Sequence, residues 1–148
     1  MIHRVPTDLV LPAHTGEDVV VGPSGRFNRA LLVFIPYAFT PVCGSELRSL
    51  AQLAPRLEEA GTEPFVVSCD TKYTLRAWAQ DELGEQWDVV PLLSDFWPHG
   101  DAARQCGVFD ERRGGPRRIA LLVEGDGTVV DEESTDFGRP RDLGRFLT

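Results

Sequence analysis

Five consecutive apolar residues, Leu31-Leu32-Val33-Phe34-Ile35, end abruptly at Pro36. An alternating strand can leave one face in water, but an unbroken run has to bury both, so this strand belongs inside an α/β sheet with a layer on either side. The rest of the chain has to supply those layers. From Cys43 onward, Leu47, Leu50, Leu53, Ala54 and Leu57 recur at three- and four-residue steps, so one stripe of a helix faces the sheet, and Gly61 ends it. Pro55 falls inside the stripe, where it removes a backbone hydrogen bond and crowds the preceding turn. A kink, or a division into two helices, is expected there.

Strand and helix then alternate. Phe65 to Cys69 reads as the next buried strand, and Thr71 caps a helix with apolar positions Leu75, Trp78, Ala79 and Leu83. Val89 to Leu93 is a further strand and Asp101 to Cys106 a short helix. Ile119 to Val123 forms a hairpin with Thr128-Val129-Val130 across Gly125-Asp126-Gly127. Ahead of the central run, Val5 to Leu11 and Glu17 to Val21 form an N-terminal β-hairpin around His14-Thr15-Gly16, and the tail from Arg139 reads as helical. This order predicts an α/β fold with a central mixed sheet flanked by helices, for which a thioredoxin-like architecture is the natural candidate. With 148 residues, 42% of them hydrophobic, and no internal repeat, one domain over residues 1–148 is expected.

Composition narrows the function classes. The longest apolar run, Ala30 to Ile35, is far short of the roughly 20 residues of a membrane span, and Met1 to Pro6 has no signal-peptide character. A soluble, cytoplasmic protein is expected. Fifteen Lys and Arg against 23 Asp and Glu leave a formal charge of -8, which argues against nucleic acid as a partner. The one basic cluster, Arg112-Arg113 and Arg117-Arg118 around Gly114-Gly115-Pro116, is of a kind that more often decorates a solvated turn than meets a ligand. Three widely spaced cysteines without C-x-x-C indicate neither a disulfide framework nor a zinc site, and His3, His14 and His99 lack metal-ligand spacing. No metal is expected.

Cys43 follows the buried strand, a Pro-containing turn and Thr40-Pro41, which puts it in the first turn of the helix. Unpaired N–H groups and the positive end of the dipole meet there and favour a thiolate over a thiol. Thr40 fits the N-cap, accepting from an N–H at the second or third helical position, and Pro41 fits the first position, where no N–H is needed. Location alone leaves two readings of Cys43, a buried structural thiol or a nucleophile.

The segment Pro36-Tyr37-Ala38-Phe39-Thr40-Pro41-Val42-Cys43 reproduces the P-x-x-x-T-x-x-C motif, with Glu46 three residues on. Together with Pro91 to Gly100 and Gly107-Val108-Phe109, it resembles the peroxiredoxin family (AhpC/TSA-like), and within it the one-cysteine alkyl hydroperoxide reductase E group of actinobacteria. The resemblance implies that Cys43 is the peroxide-attacking thiolate. It implies that Thr40 hydrogen-bonds thiolate and peroxide, that the N–H groups of Val42 and Cys43 assist, and that Pro36 shields the sulfur from water. It also implies an arginine from a distant strand. Counting back from Gly125-Asp126-Gly127 selects Arg118, with Arg117 adjacent, although Ala120, Leu121 and Glu124 depart from the family's R-x-[ST]-F-V-[IV]-D pattern. Glu46 resembles the glutamate of the arginine network; its bland alternative is a solvent-facing carboxylate. Its presence in place of a second cysteine excludes C-x-x-C chemistry.

Cys69 and Cys106 match no typical resolving position and read as packing residues. The implied cycle is therefore one-cysteine: Cys43 becomes a sulfenic acid, and an external thiol, either a low-molecular-weight thiol or a thioredoxin- or glutaredoxin-like protein, returns it to the reduced state. Hydrogen peroxide, organic hydroperoxides or peroxynitrite are the implied substrates, and no cofactor is required. Tyr37 and Phe39 are expected at the peroxide entrance. The Phe96-Trp97-Pro98-His99 loop packs either in the core or against a second subunit, as in family dimers. Two other classes stay open: a redox sensor or thiol relay, and a non-catalytic thioredoxin-fold binding domain.

Overall fold

The computed structural model describes residues 2–135 and 141–147. Its centre is β3 (Arg29–Phe34), the run singled out above, with Leu31, Leu32, Val33 and Phe34 all buried. On one side β3 pairs in parallel with β4 (Thr62–Ser68), which pairs in parallel with β5 (Leu92–Ser94). On the other it pairs antiparallel with β8 (Ile119–Glu124), which forms a hairpin with β9 (Val129–Ser134). The five-stranded order is therefore β5-β4-β3-β8-β9.

Side chains of period two divide the core between the two faces of this sheet. Leu31, Val33 and Ala120 face α1 (Pro41–Glu59) and α2 (Lys72–Leu83), joined by Leu143 and Phe146 from the tail. Ala30, Leu32, Phe34, Ile119 and Leu121 face the N-terminal hairpin and α3 (Asp101–Gln105). The mixed sheet with a helical layer on each face is the expected one. Leu121, which departs from the family pattern, fills the second core, while Ala120 faces the first.

Several boundaries differ from expectation for identifiable reasons. The N-terminal hairpin is shorter, β1 (Val10–Pro12) against β2 (Asp18–Val20); Val5 instead donates its N–H to the Gly127 carbonyl at 2.8 Å. Pro55 divides nothing: α1 is one helix, with the proline exposed on the side away from Leu50, Ala54 and Leu57. Burial of that stripe offsets one missing hydrogen bond, and Gly61 (φ 85°) follows the helix end as predicted. Thr71 caps α2, accepting from the Thr74 N–H at 3.2 Å. Val89 and Val90 lie outside β5, because the Val89 N–H is already bonded to the Gln86 carbonyl of the 3₁₀ turn region Gly84–Gln86. A small hairpin of β6 (Phe109–Asp110) and β7 (Gly115–Pro116) was not expected. In the tail, Arg139 lies outside the described residues, and Leu143–Leu147 is a 3₁₀ turn, not an α-helix.

His14 anchors the N-terminal hairpin to the sheet edge. Its Nδ1 accepts from the Leu92 N–H at 3.2 Å, which leaves Nε2 as the donor to the Trp87 carbonyl at 2.8 Å, so the bonds fit the neutral ring. Burial pushes its pKa below the ordinary 6.5, against the opposing pull of the Trp87 carbonyl, Glu17 and Asp88. The unfolded chain therefore binds this proton more readily, and the stability His14 contributes is full above about pH 6.5 and lost as pH falls through the lower folded value. His14→Asn is expected to cost about 1–2 kcal/mol at pH 7, a gap that narrows towards pH 5 in urea unfolding.

Candidate active site

The site is built where β3 hands over to α1. Pro36 is buried at the end of the strand, and the chain turns through Phe39, whose φ of 63° is left-handed. Thr40 then takes the N-cap position in extended conformation, and its carbonyl accepts the Gly44 N–H at 2.9 Å. One expectation is corrected here: the Thr40 side chain does not cap the helix. Its hydroxyl donates to the Tyr37 carbonyl at 3.1 Å, because the turn at Phe39 folds that carbonyl back towards it. Pro41 is the first helical residue, so Val42 and Cys43 lie in the first turn, where N–H groups have no intrahelical acceptor. Val42 is half-buried and Cys43 only 1% exposed.

A guanidinium reaches the sulfur from the neighbouring strand. Arg118, just before β8, donates from Nη2 to Cys43 Sγ at 2.8 Å and from Nη1 to Glu46 Oε1. Of the adjacent arginines, Arg117 points outward, its Nη2 3.3 Å from the Gly107 carbonyl. The basic cluster is thus split: Arg112, Arg113 and Arg117 are exposed on or beside the turn, and Arg118 is buried.

Glu46, one turn along α1 from Cys43, is buried between two arginines. The second, Arg141, escaped sequence reading. Its Nε donates to Glu46 Oε2 at 2.8 Å, its Nη2 to Oε1 at 2.9 Å, its backbone N–H to Oε2 at 2.7 Å, and its Nη1 to the Phe34 carbonyl at 2.8 Å. Burial alone would push the Glu46 carboxyl up, but the hydrogen bonds and charge of Arg141, with Arg118 behind, hold it below its ordinary value. The only sequence signal for Arg141 was the charge of Glu46 itself, a carboxylate on the sheet-facing side of the helix that needs cationic partners.

The buried group of Arg118, Arg141 and Glu46 carries one net positive charge, which an anionic sulfur at Cys43 would neutralise. Two buried N–H donors lack a partner among the described residues, Arg118 Nε and Trp78 Nε1. Arg118 touches the sulfur, and Trp78 lines the same small void as Cys43 and Glu46. A cation that donates to the sulfur and a first helical turn beneath it form an arrangement that can hold negative charge and stabilise an oxygen leaving or arriving there.

The other two thiols sit in different surroundings. Cys69 and Cys106 are free and buried, and burial first, then the charge of Asp95, pushes each up to about 12. Neither has an arginine donor at sulfur among the hydrogen bonds of the described residues.

The sequence model of the AhpC/TSA family matches residues 4–132. Alkyl hydroperoxide reductase E of Mycobacterium tuberculosis is 36% identical over 115 residues, 78% of this chain and 72% of that protein. Peroxiredoxin TSA1 of Saccharomyces cerevisiae is 32% identical over 120 residues, 79% of this chain and 60% of that protein. Among solved structures, the crystal structure of Enterococcus faecalis AhpC superposes with a TM-score of 0.80 at 29% identity, covering 99% of this chain and 87% of that one. Peroxidoxin BcpB of Mycobacterium tuberculosis does so with a TM-score of 0.79 at 25% identity, covering 99% and 95%.

Proposed function

The chain belongs to the AhpC/TSA family, has a thioredoxin-like fold and is a thiol-dependent peroxidase, and from that premise we propose that Cys43 is its peroxide-attacking thiolate in a one-cysteine cycle. The observation that carries this reading is the 2.8 Å hydrogen bond from Arg118 Nη2 to Cys43 Sγ. A guanidinium only donates, so the contact is strongest when the sulfur is ionised.

The thiolate attacks one oxygen of a hydroperoxide; the S–O bond forms as the O–O bond breaks, and the departing oxygen takes a proton and leaves as an alcohol or water. Thr40 has its proton committed to the Tyr37 carbonyl, so its lone pairs are left to accept the peroxide O–H and align the attack. Val42 and Cys43 N–H groups and the Arg118 guanidinium stabilise charge on the departing oxygen. Pro36 shields the sulfur without donating, and Glu46, fixed by Arg141, holds Arg118 in place. An external thiol then displaces water from the sulfenic acid to give a mixed disulfide, and a second thiol releases Cys43. Hydrogen peroxide, organic hydroperoxides and peroxynitrite are within reach of this chemistry, and a low-molecular-weight thiol or a thioredoxin-like protein serves as reductant.

Mixing reduced protein with one equivalent of hydrogen peroxide and following sulfenate formation tests the reading. The wild type is expected to react far faster than free cysteine and Cys43→Ser not at all; a wild type no faster than free cysteine would sink it.

The same reading extends to the rest of the molecule. Residues 1–148 act as one domain, since both cores share one sheet. A cytoplasmic location suits three unpaired cysteines, and no described helix is long and apolar enough to cross a membrane. Phe96 and Trp97 do not enter the core: Trp97 is 82% exposed. We assign that loop to a homodimer contact. Sedimentation should then give a dimer for the wild type and a shift towards monomer for Trp97→Asp; a monomeric wild type would remove the assignment.

A further inference from the structure

The loop that delivers Thr40 and Cys43 is strained. Phe39 is the one non-glycine residue with positive φ among the described residues, a conformation that costs of order 1–3 kcal/mol and persists only where the surroundings over-determine it. Helix capping does not provide that constraint, since the Thr40 side chain makes no cap bond. Two contacts with distant parts of the chain do, one made by Asp70 and one by the loop's own Tyr37.

On the inner side stands Asp70, just beyond β4. Its Oδ2 accepts the Ala38 N–H at 2.9 Å and the Ser68 hydroxyl at 2.7 Å. The residue is itself pinned: its N–H donates to Ser68 Oγ at 3.0 Å, and its carbonyl accepts the Ser94 hydroxyl at 2.7 Å, tying it to the ends of β4 and β5. On the outer side, the Tyr37 hydroxyl donates to the Arg113 carbonyl at 2.6 Å, in the turn between β6 and β7. His99 Nε2 lies 2.6 Å from the next carbonyl, Gly114, and Gly115 lies against the loop, where an added Cβ would come within 3.4 Å of the Pro36 carbonyl. That turn runs on through β7 into Arg118. The loop is therefore clamped to the strand frame on one side and to the segment bearing the arginine on the other.

We propose that Asp70 and Tyr37 are positioning residues for the peroxide reaction. They touch neither the sulfur nor the peroxide, but hold Ala38 and Phe39 so that Thr40 and Arg118 converge on Cys43. The proposal rests on Cys43 being the attacking thiolate. It carries an opposed pair of consequences. Releasing the clamp lets Phe39 relax, so Thr40 no longer aligns the peroxide and that reaction slows. The same release uncovers a sulfur that is only 1% exposed, so an alkylating reagent that needs no alignment reacts faster.

The test measures both rates on reduced protein: stopped-flow reaction with hydrogen peroxide, and alkylation by iodoacetamide quantified on the Cys43 peptide by mass spectrometry. Asp70→Ala is expected to slow peroxide reduction roughly 10- to 100-fold, the effect of about an ångström of misplacement, and to speed alkylation. Asp70→Asn keeps an oxygen for the Ala38 N–H and is expected to recover most of the peroxide rate. Tyr37→Phe loses one hydrogen bond at the surface, so it keeps the fold and serves if Asp70→Ala does not. It should move both rates in the same directions by about 2- to 10-fold. Both rates falling together, a peroxide rate unchanged in Asp70→Ala and Tyr37→Phe, or no recovery in Asp70→Asn would overturn the clamp. A wild type without a fast peroxide reaction is a separate outcome, which ends the peroxidase reading and the clamp with it.

Discussion

Arg118→Ala is expected to slow peroxide reduction by roughly 10²- to 10³-fold, the usual cost of removing one well-placed donor from a site of developing charge. Arg118 is the only described side chain whose hydrogen bond reaches Cys43 Sγ, while the other buried arginine of the group, Arg141, spends its donors on Glu46 and the Phe34 carbonyl. The fold should survive, because Glu46 keeps all three of its bonds from Arg141. Arg118→Lys restores a charge but not a planar fork that reaches Sγ and Glu46 together, so an intermediate loss is expected. Stopped-flow rates for the three proteins, beside far-UV circular dichroism, give the comparison. A rate within threefold of wild type in Arg118→Ala would remove the arginine from the reaction.

Glu46→Leu is expected to cost about 3–5 kcal/mol of stability, the penalty for leaving buried charges without a counter-charge. Arg118 and Arg141 would then face each other across an apolar side chain, with one bond of each, to Sγ and to the Phe34 carbonyl, remaining. The contribution of Glu46 also has a pH signature. Its folded pKa lies below the ordinary 4.5, so the unfolded carboxyl takes up its proton first. The stabilisation is full above about pH 4.5 and disappears as pH falls through the folded value, so wild type and variant should converge in acid. Urea unfolding at pH 7 and below pH 4.5 measures both effects. Glu46→Gln, which keeps the acceptor and loses the charge, is expected to lie between them in stability and to slow the peroxide reaction by loosening Arg118.

Much of this was legible because it is local or periodic. The unbroken run ending at Pro36 marked the central strand, the leucine stripe after Cys43 marked its helix, and Gly125-Asp126-Gly127 marked the last hairpin. Cys43, Thr40 and Pro36 were readable together since they occupy one stretch of eight residues. Arg118 required counting across a segment whose residues depart from the family pattern, and its placement needed the β3–β8 register, in which Phe34 faces Ile119.

What stayed hidden depends on the chain meeting itself. Arg141 joins Glu46 across 95 residues, and nothing in the tail's own pattern announces a buried cation. Asp70 looks like an ordinary turn residue until Ala38 is beside it. The hydroxyl of Thr40 had a local rule to follow, helix capping, and did not follow it, because the left-handed turn at Phe39 offers the Tyr37 carbonyl instead. The β6–β7 hairpin, with two residues in each strand and a glycine and proline in one of them, carries no periodicity to detect.

A one-cysteine cycle centred on Cys43 makes a sharp statement about the other two thiols, both buried and pushed up to about 12. Reduced protein should be treated with one equivalent of peroxide in the absence of any added thiol, trapped, and mapped by mass spectrometry. The account predicts oxygen gained at Cys43 alone, with Cys69 and Cys106 recovered as free thiols. A disulfide joining Cys43 to either of them within one chain would contradict it.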